Sequence, residues 1–154
     1  MAVQASATRD IKPFVLAGAP FHNPAATIKQ DAARTTELAQ YTLMARIAAT
    51  GLWEPYGDNT ATDGTAIPQG IYMGEAIPAA SLVAGNVVNC PIIVGGEGLI
   101  VDEDQLVIEE LVSPPIDLDS LITVGTTDIR TVEEHLRNLG IFMKATFAID
   151  AYEN

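Results

Sequence analysis

Turn-forming residues interrupt this chain so often that only short strands fit between them. Gly51, the polar stretch 57–64 (GDNTATDG), Gly70, the Gly85-Asn86 pair and the GGEG run at 95–98 follow one another at short intervals. Between them lie YTLMARIA, LWEPY, GIYMGEAI, VVNCPIIV, LIV and QLVIEEL, all rich in β-branched, aromatic or large apolar residues. That spacing leaves no room for the long crossover helices of a parallel sheet. It predicts a small β barrel or β meander. In 41–48, Tyr41, Leu43, Ala45 and Ile47 alternate with the rest, the period of a half-buried strand. Pro91 lies inside VVNCPIIV, where a missing N–H calls for a sheet edge or a bulge.

The two ends read differently. Pro13, Gly18, Pro20 and Pro24 break any period over residues 1–26, yet Ile11, Phe14, Val15, Leu16 and Phe21 are apolar. A freely solvated tail has no use for such a cluster. Residues 1–40 are therefore expected to form an arm, partly extended, that adds strand-like contacts to a partner, with Ile11, Phe14, Val15 and Leu16 as the contacts. The competing expectation is that this segment packs on its own domain. Residues 27–40, polar and Ala-rich, fit either a short helix or more arm.

The compact domain is expected over 41–154. Near its end, Thr131 and Glu134 have capping-box spacing, and Val132, Leu136 and Leu139 share one helical face. Gly140 is placed to stop that helix, expected at about 131–139. A final alternating strand follows, with Ile141, Met143, Ala145, Phe147 and Ile149 on one side.

Charge limits the partners. The 154 residues carry 20 acidic and 8 basic groups, a formal net charge of −12. Their placement is uneven. Residues 1–46 carry five basic and three acidic groups, 47–129 carry thirteen acidic and no basic ones, and 130–154 carry three basic and four acidic. A body without Lys or Arg cannot neutralise phosphates, so neither nucleic acid nor an anionic membrane is expected to bind it. The longest apolar runs fall well short of the ~20 residues that span a bilayer. No signal-peptide pattern opens the chain, and synthesis in a cytoplasm is expected.

Chemistry is sparse. The histidines are His22 and His135, and the only cysteine is Cys90, in an apolar run where a buried inert thiol is expected. One Cys and two distant His make no zinc pattern. No phosphate-binding loop is present, and the loop holding Asp58 and Asp63 lacks EF-hand spacing. The triplet Asp102, Glu103 and Asp104 reads as solvated turn carboxylates. No cofactor, metal or catalytic residue is expected.

The order of segments over residues 38–111 resembles the head decoration, or capsid-stabilising, proteins of lambda-like bacteriophages. The likeness rests on TGLW (50–53), TDG (62–64), GIYMGEAI (70–77), VVNCPIIV (87–94) and GGEG (95–98), with Asp63, Gly64, Gly70 and Ile71 as the motif positions. The closing TVEEHLRNLGI is similar to longer members. The resemblance implies a mainly β fold of the β-tulip type and a virion structural protein rather than an enzyme. It further implies homotrimers on the outer surface of the expanded head, with the major capsid protein as partner. This chain is longer and more acidic than the smallest members, and it adds a helix and strand after the core. The rival readings are another trimeric phage structural module, such as a spike or tail component, and a small all-β trimeric enzyme.

Overall fold

Two long strands frame the molecule. The computed structural model describes residues 13–145, in which β1 (Val15–Ile28) and β5 (Val87–Asp102) run antiparallel along almost their whole lengths. Short strands complete the main sheet: β2 (Leu43–Arg46), β3 (Trp53–Pro55), β4 (Gly70–Tyr72) and β8 (Ile141–Lys144). The pairings run β1-β3-β2-β4-β5, and β5 pairs back to β1, so five strands close a ring. β8 lies parallel to the end of β5, Leu99 against Ile141 through Asp102 against Lys144. A separate hairpin, β6 (Leu121–Val124) and β7 (Asp128–Thr131), leads into helix α2 (Val132–Asn138). A one-and-a-half-turn helix α1 (Ala79–Ala84) links β4 to β5. The fold is mainly β, as the turn spacing predicts, with a short C-terminal helix followed by a strand, as the capping box and the alternation after Gly140 predict.

Strand alternation divides the interior into two clusters. Ala26, Ile28, Met44, Trp53, Tyr72, Cys90 and Ile92 meet in one, and all five ring strands contribute to it. It therefore fills the ring. Leu38, Ile77 and Leu82, from the connections, complete it. The alternate residues Leu43, Ala45, Ile71 and Ile93 face the other way and join Leu99, Val101, Ile122, Val132, Leu136 and Ile141. The hairpin, α2 and β8 thus cover the outer face of the ring. Burying each such aliphatic side chain contributes roughly 1.5–3 kcal/mol, so both clusters matter to the fold.

This arrangement corrects several expectations. β2 is buried on both faces, not one: Thr42 and Met44 are as buried as Leu43 and Ala45. Thr42 tolerates this because its hydroxyl donates to the Ala39 carbonyl at 2.7 Å. The GGEG run does not turn. It continues β5, because Ala19, Pro20 and Phe21 of β1 lie opposite Glu97, Gly96 and Gly95. QLVIEEL is not a strand beyond the contact of Val107 with Thr42. Both edges of β5 are already taken, by β1 on one side and by β4 and β8 on the other, so the segment leaves the sheet. Leu106 and Ile108 then pack over the outer cluster. Pro91 does lie among register shifts between β1 and β5, beside the positive-φ residue Asn89.

The largest correction concerns the expected arm. From Phe14 onward the chain belongs to the domain. β1 pairs with β5 from Val15↔Val101 to Ile28↔Val87, and Leu38 bridges Ile77. The cause is local. β5 presents a long unpaired edge, and the apolar residues of 14–28 satisfy it within the same chain. Residues 27–40 form no helix: β1 runs to Ile28, and the rest is irregular.

The C-terminal elements match their sequence signals. The Thr131 hydroxyl accepts from the Glu134 backbone N–H at 3.1 Å, and the Glu134 carboxylate accepts from the Thr131 N–H at 2.8 Å. Val132 and Leu136 are fully buried, and Gly140 follows the helix with φ +86°. Ile141 is buried while Phe142 is exposed, so the strand alternates as expected; Phe147 and Ile149 lie outside the described residues.

Candidate functional site

The residues expected to contact a partner are split by the fold. Ile11 lies outside the described residues. Phe14 is 3% exposed, in the outer cluster, and its ring stacks on Tyr41 with centroids 4.1 Å apart and planes 11° apart. It is a core residue and cannot reach a partner without leaving its seat. Val15 packs against the same cluster, and Leu16 is half-buried on β1.

Of the four motif positions, Gly70 and Ile71 belong to β4 of the ring, and Asp63 and Gly64 to the polar turn before it. The Asp63 carboxylate accepts from the Thr65 N–H at 3.1 Å and from its hydroxyl at 2.5 Å. These bonds stabilise the ionised form and hold its pKa below the usual value. Gly64 has φ +99°, a conformation that strains any residue with a Cβ. The same turn is tied to the end of β2, where the Ala48 N–H donates to the Asp63 carbonyl at 2.9 Å. Gly70 opens β4 where strands cross closely: a Cβ there would lie 2.6 Å from Ile92 Cγ2 and 2.8 Å from the Ile93 carbonyl oxygen. Ile71 is fully buried. All four positions are explained by backbone geometry and packing.

The groups that might do chemistry are dispersed. Cys90 is buried, its thiol bonded to the Val87 and Val88 carbonyls, and burial pushes its pKa up. No base adjoins it among the interactions of the described residues, so nothing converts it to the nucleophilic thiolate. The Tyr56 and Tyr72 phenols are pushed up to about 12, chiefly by burial. Asp102 is not a solvated turn residue as expected but fully buried, accepting from the Asp104 N–H at 3.0 Å and the Gln105 amide at 2.8 Å. Neighbouring Glu103 has its pKa raised, first by burial and then by Asp104, Glu133, Asp102 and Asp119. Among the described residues no group of three His, Cys, Asp or Glu side chains is placed to hold a metal ion. No described helix is long and apolar enough to cross a membrane.

One cleft stands apart in its chemistry. It has a volume of about 590 Å³ and is walled by Asn23, Arg46, Trp53, Gln69 and His135 with aliphatic side chains between them. Arg46 and Trp53 are register partners in the ring, and both line the cleft. α2 brings His135 to the opposite wall, deeper than a helix-surface residue: it is 8% exposed, and its Nδ1 has no hydrogen-bond partner among the described residues. Burial, and then the positive Arg130, hold its pKa below the usual imidazole value, against a smaller opposing effect of the Pro68 carbonyl. The imidazole is therefore neutral at pH 7. Residues from β1, β2, β3, β5, β6 and α2 meet here, a convergence that no local motif announces.

Comparison with protein-family models, with curated proteins and with solved structures finds no match for this chain.

Proposed function

We propose that the chain is a capsid decoration protein. On this reading it binds the exterior of an expanded bacteriophage head as trimers at three-fold positions and braces the shell against the pressure of packaged DNA. The observation that supports it most is the order of the resembling segments. TGLW enters β3, TDG forms the polar turn, GIYMGEAI opens with β4, and VVNCPIIV with GGEG supplies β5. The segments that carry the likeness are thus consecutive elements of one closed ring. The acidic body suits a position outside the shell, away from DNA.

The mechanism requires no reaction. Three copies bridging several shell subunits bind more strongly than one, because each contact raises the effective concentration of the next. Preference for the expanded lattice then stabilises that lattice by linkage. With Phe14 and β1 built into the domain, residues 14–28 serve as part of the body and not as a free arm in this proposal.

Co-sedimentation with capsids of the source phage tests the proposal. Binding to expanded but not unexpanded shells, near three copies per three-fold position, is the expected result. Absence of binding to both forms would overturn it and return the spike, tail-component and enzyme readings.

A further inference from the structure

Arg46 is exposed at the mouth of the cleft, in a chain whose 20 acidic groups outnumber its basic ones. Lys29, Arg34, Arg130 and Arg137 each hold a carboxylate: Glu54, Glu109, Asp128 and Glu133 respectively. Arg46 holds none among the described residues. Its Nε donates to the Gly51 carbonyl at 3.3 Å, and neither terminal nitrogen has a hydrogen-bond partner among the described residues. No Asp or Glu lines this cleft, whereas the clefts beside Arg34 and Lys29 are walled with them. The remaining polar walls, Asn23 and Gln69, are half-buried amides, and the Gln69 side chain has no hydrogen-bond partner among the described residues. The floor is apolar, with Trp53 5% exposed.

We propose that this cleft is a docking site for a partner polypeptide segment in which an acidic side chain stands next to a bulky aliphatic one. The guanidinium offers two parallel N–H donors, which match a carboxylate in bidentate geometry. The aliphatic neighbour takes the place of water over Trp53 and the aliphatic wall. The Gln69 amide can bond the backbone of an entering segment. About 590 Å³ accommodates two side chains, within the ~300–1,000 Å³ of ordinary binding clefts. Charge complementarity selects the occupant: the surrounding body is acidic and repels anions, so an anion finds its favourable place where Arg46 stands without a counter-charge in a cleft lined by no Asp or Glu. This inference does not depend on the capsid reading.

Trp53 is the only tryptophan in the chain, so its emission reports the cleft directly. The probe is a capped tripeptide with aspartate between two leucines; its asparagine counterpart and hexanoate are the controls. The expected result is a saturable change in Trp53 emission with the aspartate peptide, and at least tenfold weaker binding of the asparagine peptide. R46Q should lose at least tenfold in affinity at an unchanged melting temperature, and R46K should lose less than R46Q. A flat titration, equal binding of the asparagine peptide, or full affinity in R46Q overturns the proposal. Hexanoate binding as tightly as the peptide also overturns it, in favour of a free small carboxylate.

Discussion

Replacing Phe14 by Ala separates a core residue from an arm contact. In the structure Phe14 is 3% exposed, stacked on Tyr41, and tied to the sheet where the Asp102 N–H donates to its carbonyl at 2.8 Å. Truncating a buried Phe removes its transfer free energy and leaves a cavity, together about 3–5 kcal/mol. The stacked ring pair places F14A toward the upper end, since such pairs add roughly 0.5–1.5 kcal/mol beyond area burial. In urea, with a slope of about 2 kcal/mol per molar, a loss of about 4 kcal/mol moves the unfolding midpoint down by about 2 M. The measurement is equilibrium unfolding followed by far-UV circular dichroism. Deletion of 1–20 should destabilise strongly, because it removes Phe14 and the partners of Val101, Ile100, Glu97 and Gly96. If F14A shifts the midpoint by less than about 0.3 M, equivalent to about 0.6 kcal/mol at that slope, Phe14 is not seated as described and the arm reading of 13–28 returns.

Three further outcomes follow from the packing. G70A places a methyl 2.6 Å from Ile92 Cγ2 and 2.8 Å from the Ile93 carbonyl, so the ring must shift; a loss of about 1–3 kcal/mol is expected, read as a lowered melting temperature, and an unchanged one refutes the close crossing. His135 has a folded-state pKa depressed below the ordinary 6.5, so the unfolded chain binds its proton more readily. Its contribution is complete above about 6.5 and is lost as pH falls toward the folded value; urea midpoints should therefore decline from pH 7 to 5.5, and H135Q should flatten that slope. Cys90, 3% exposed, should resist a thiol reagent in the native protein and react with one equivalent after denaturation; prompt native labelling would contradict its place inside the ring.

What the sequence made legible has a physical pattern. α2 was readable because its signals are local: Thr131 and Glu134 cap each other, and Val132 and Leu136 share a face whatever surrounds them. Residues 13–28 were misread because their fate is set by β5, more than sixty residues away. Apolar residues that could serve a partner's sheet serve an edge of their own sheet equally well, and periodicity cannot name the edge. GGEG was misread for the same reason. Gly95 and Gly96 permit a turn, but the opposed backbone of β1 makes an extended path the better one. Both faces of β2 are buried only because the hairpin and α2 cover the ring, and the alternation within YTLMARIA could not show a cover supplied by residues 121–138.

The cleft was invisible in the sequence for a further reason, and that reason bears on its use. Arg46 and Arg130 are the residues that bracket the 47–129 stretch without a basic group, so in the sequence they mark only its limits. The fold carries the two ends of that stretch toward one place. β2 ends at Arg46, β7 holds Arg130, and α2, directly after β7, brings His135 to the cleft wall, where the Arg130 charge acts on its ring. The neutral imidazole keeps the deep wall uncharged at pH 7, while Arg46 at the mouth supplies the positive charge. A carboxylate entering the cleft meets this charge and in turn favours the protonated ring. Occupancy should therefore raise the titration midpoint of His135, and binding should strengthen as pH falls through that range while the protein remains folded. With only His22 and His135 in the chain, the two Cε1–H resonances suffice to read the effect. Movement of the His135 signal on addition of the aspartate tripeptide, with that of the exposed His22 unchanged, would place the ligand at this wall. Unchanged His135 titration at saturating peptide would place it elsewhere.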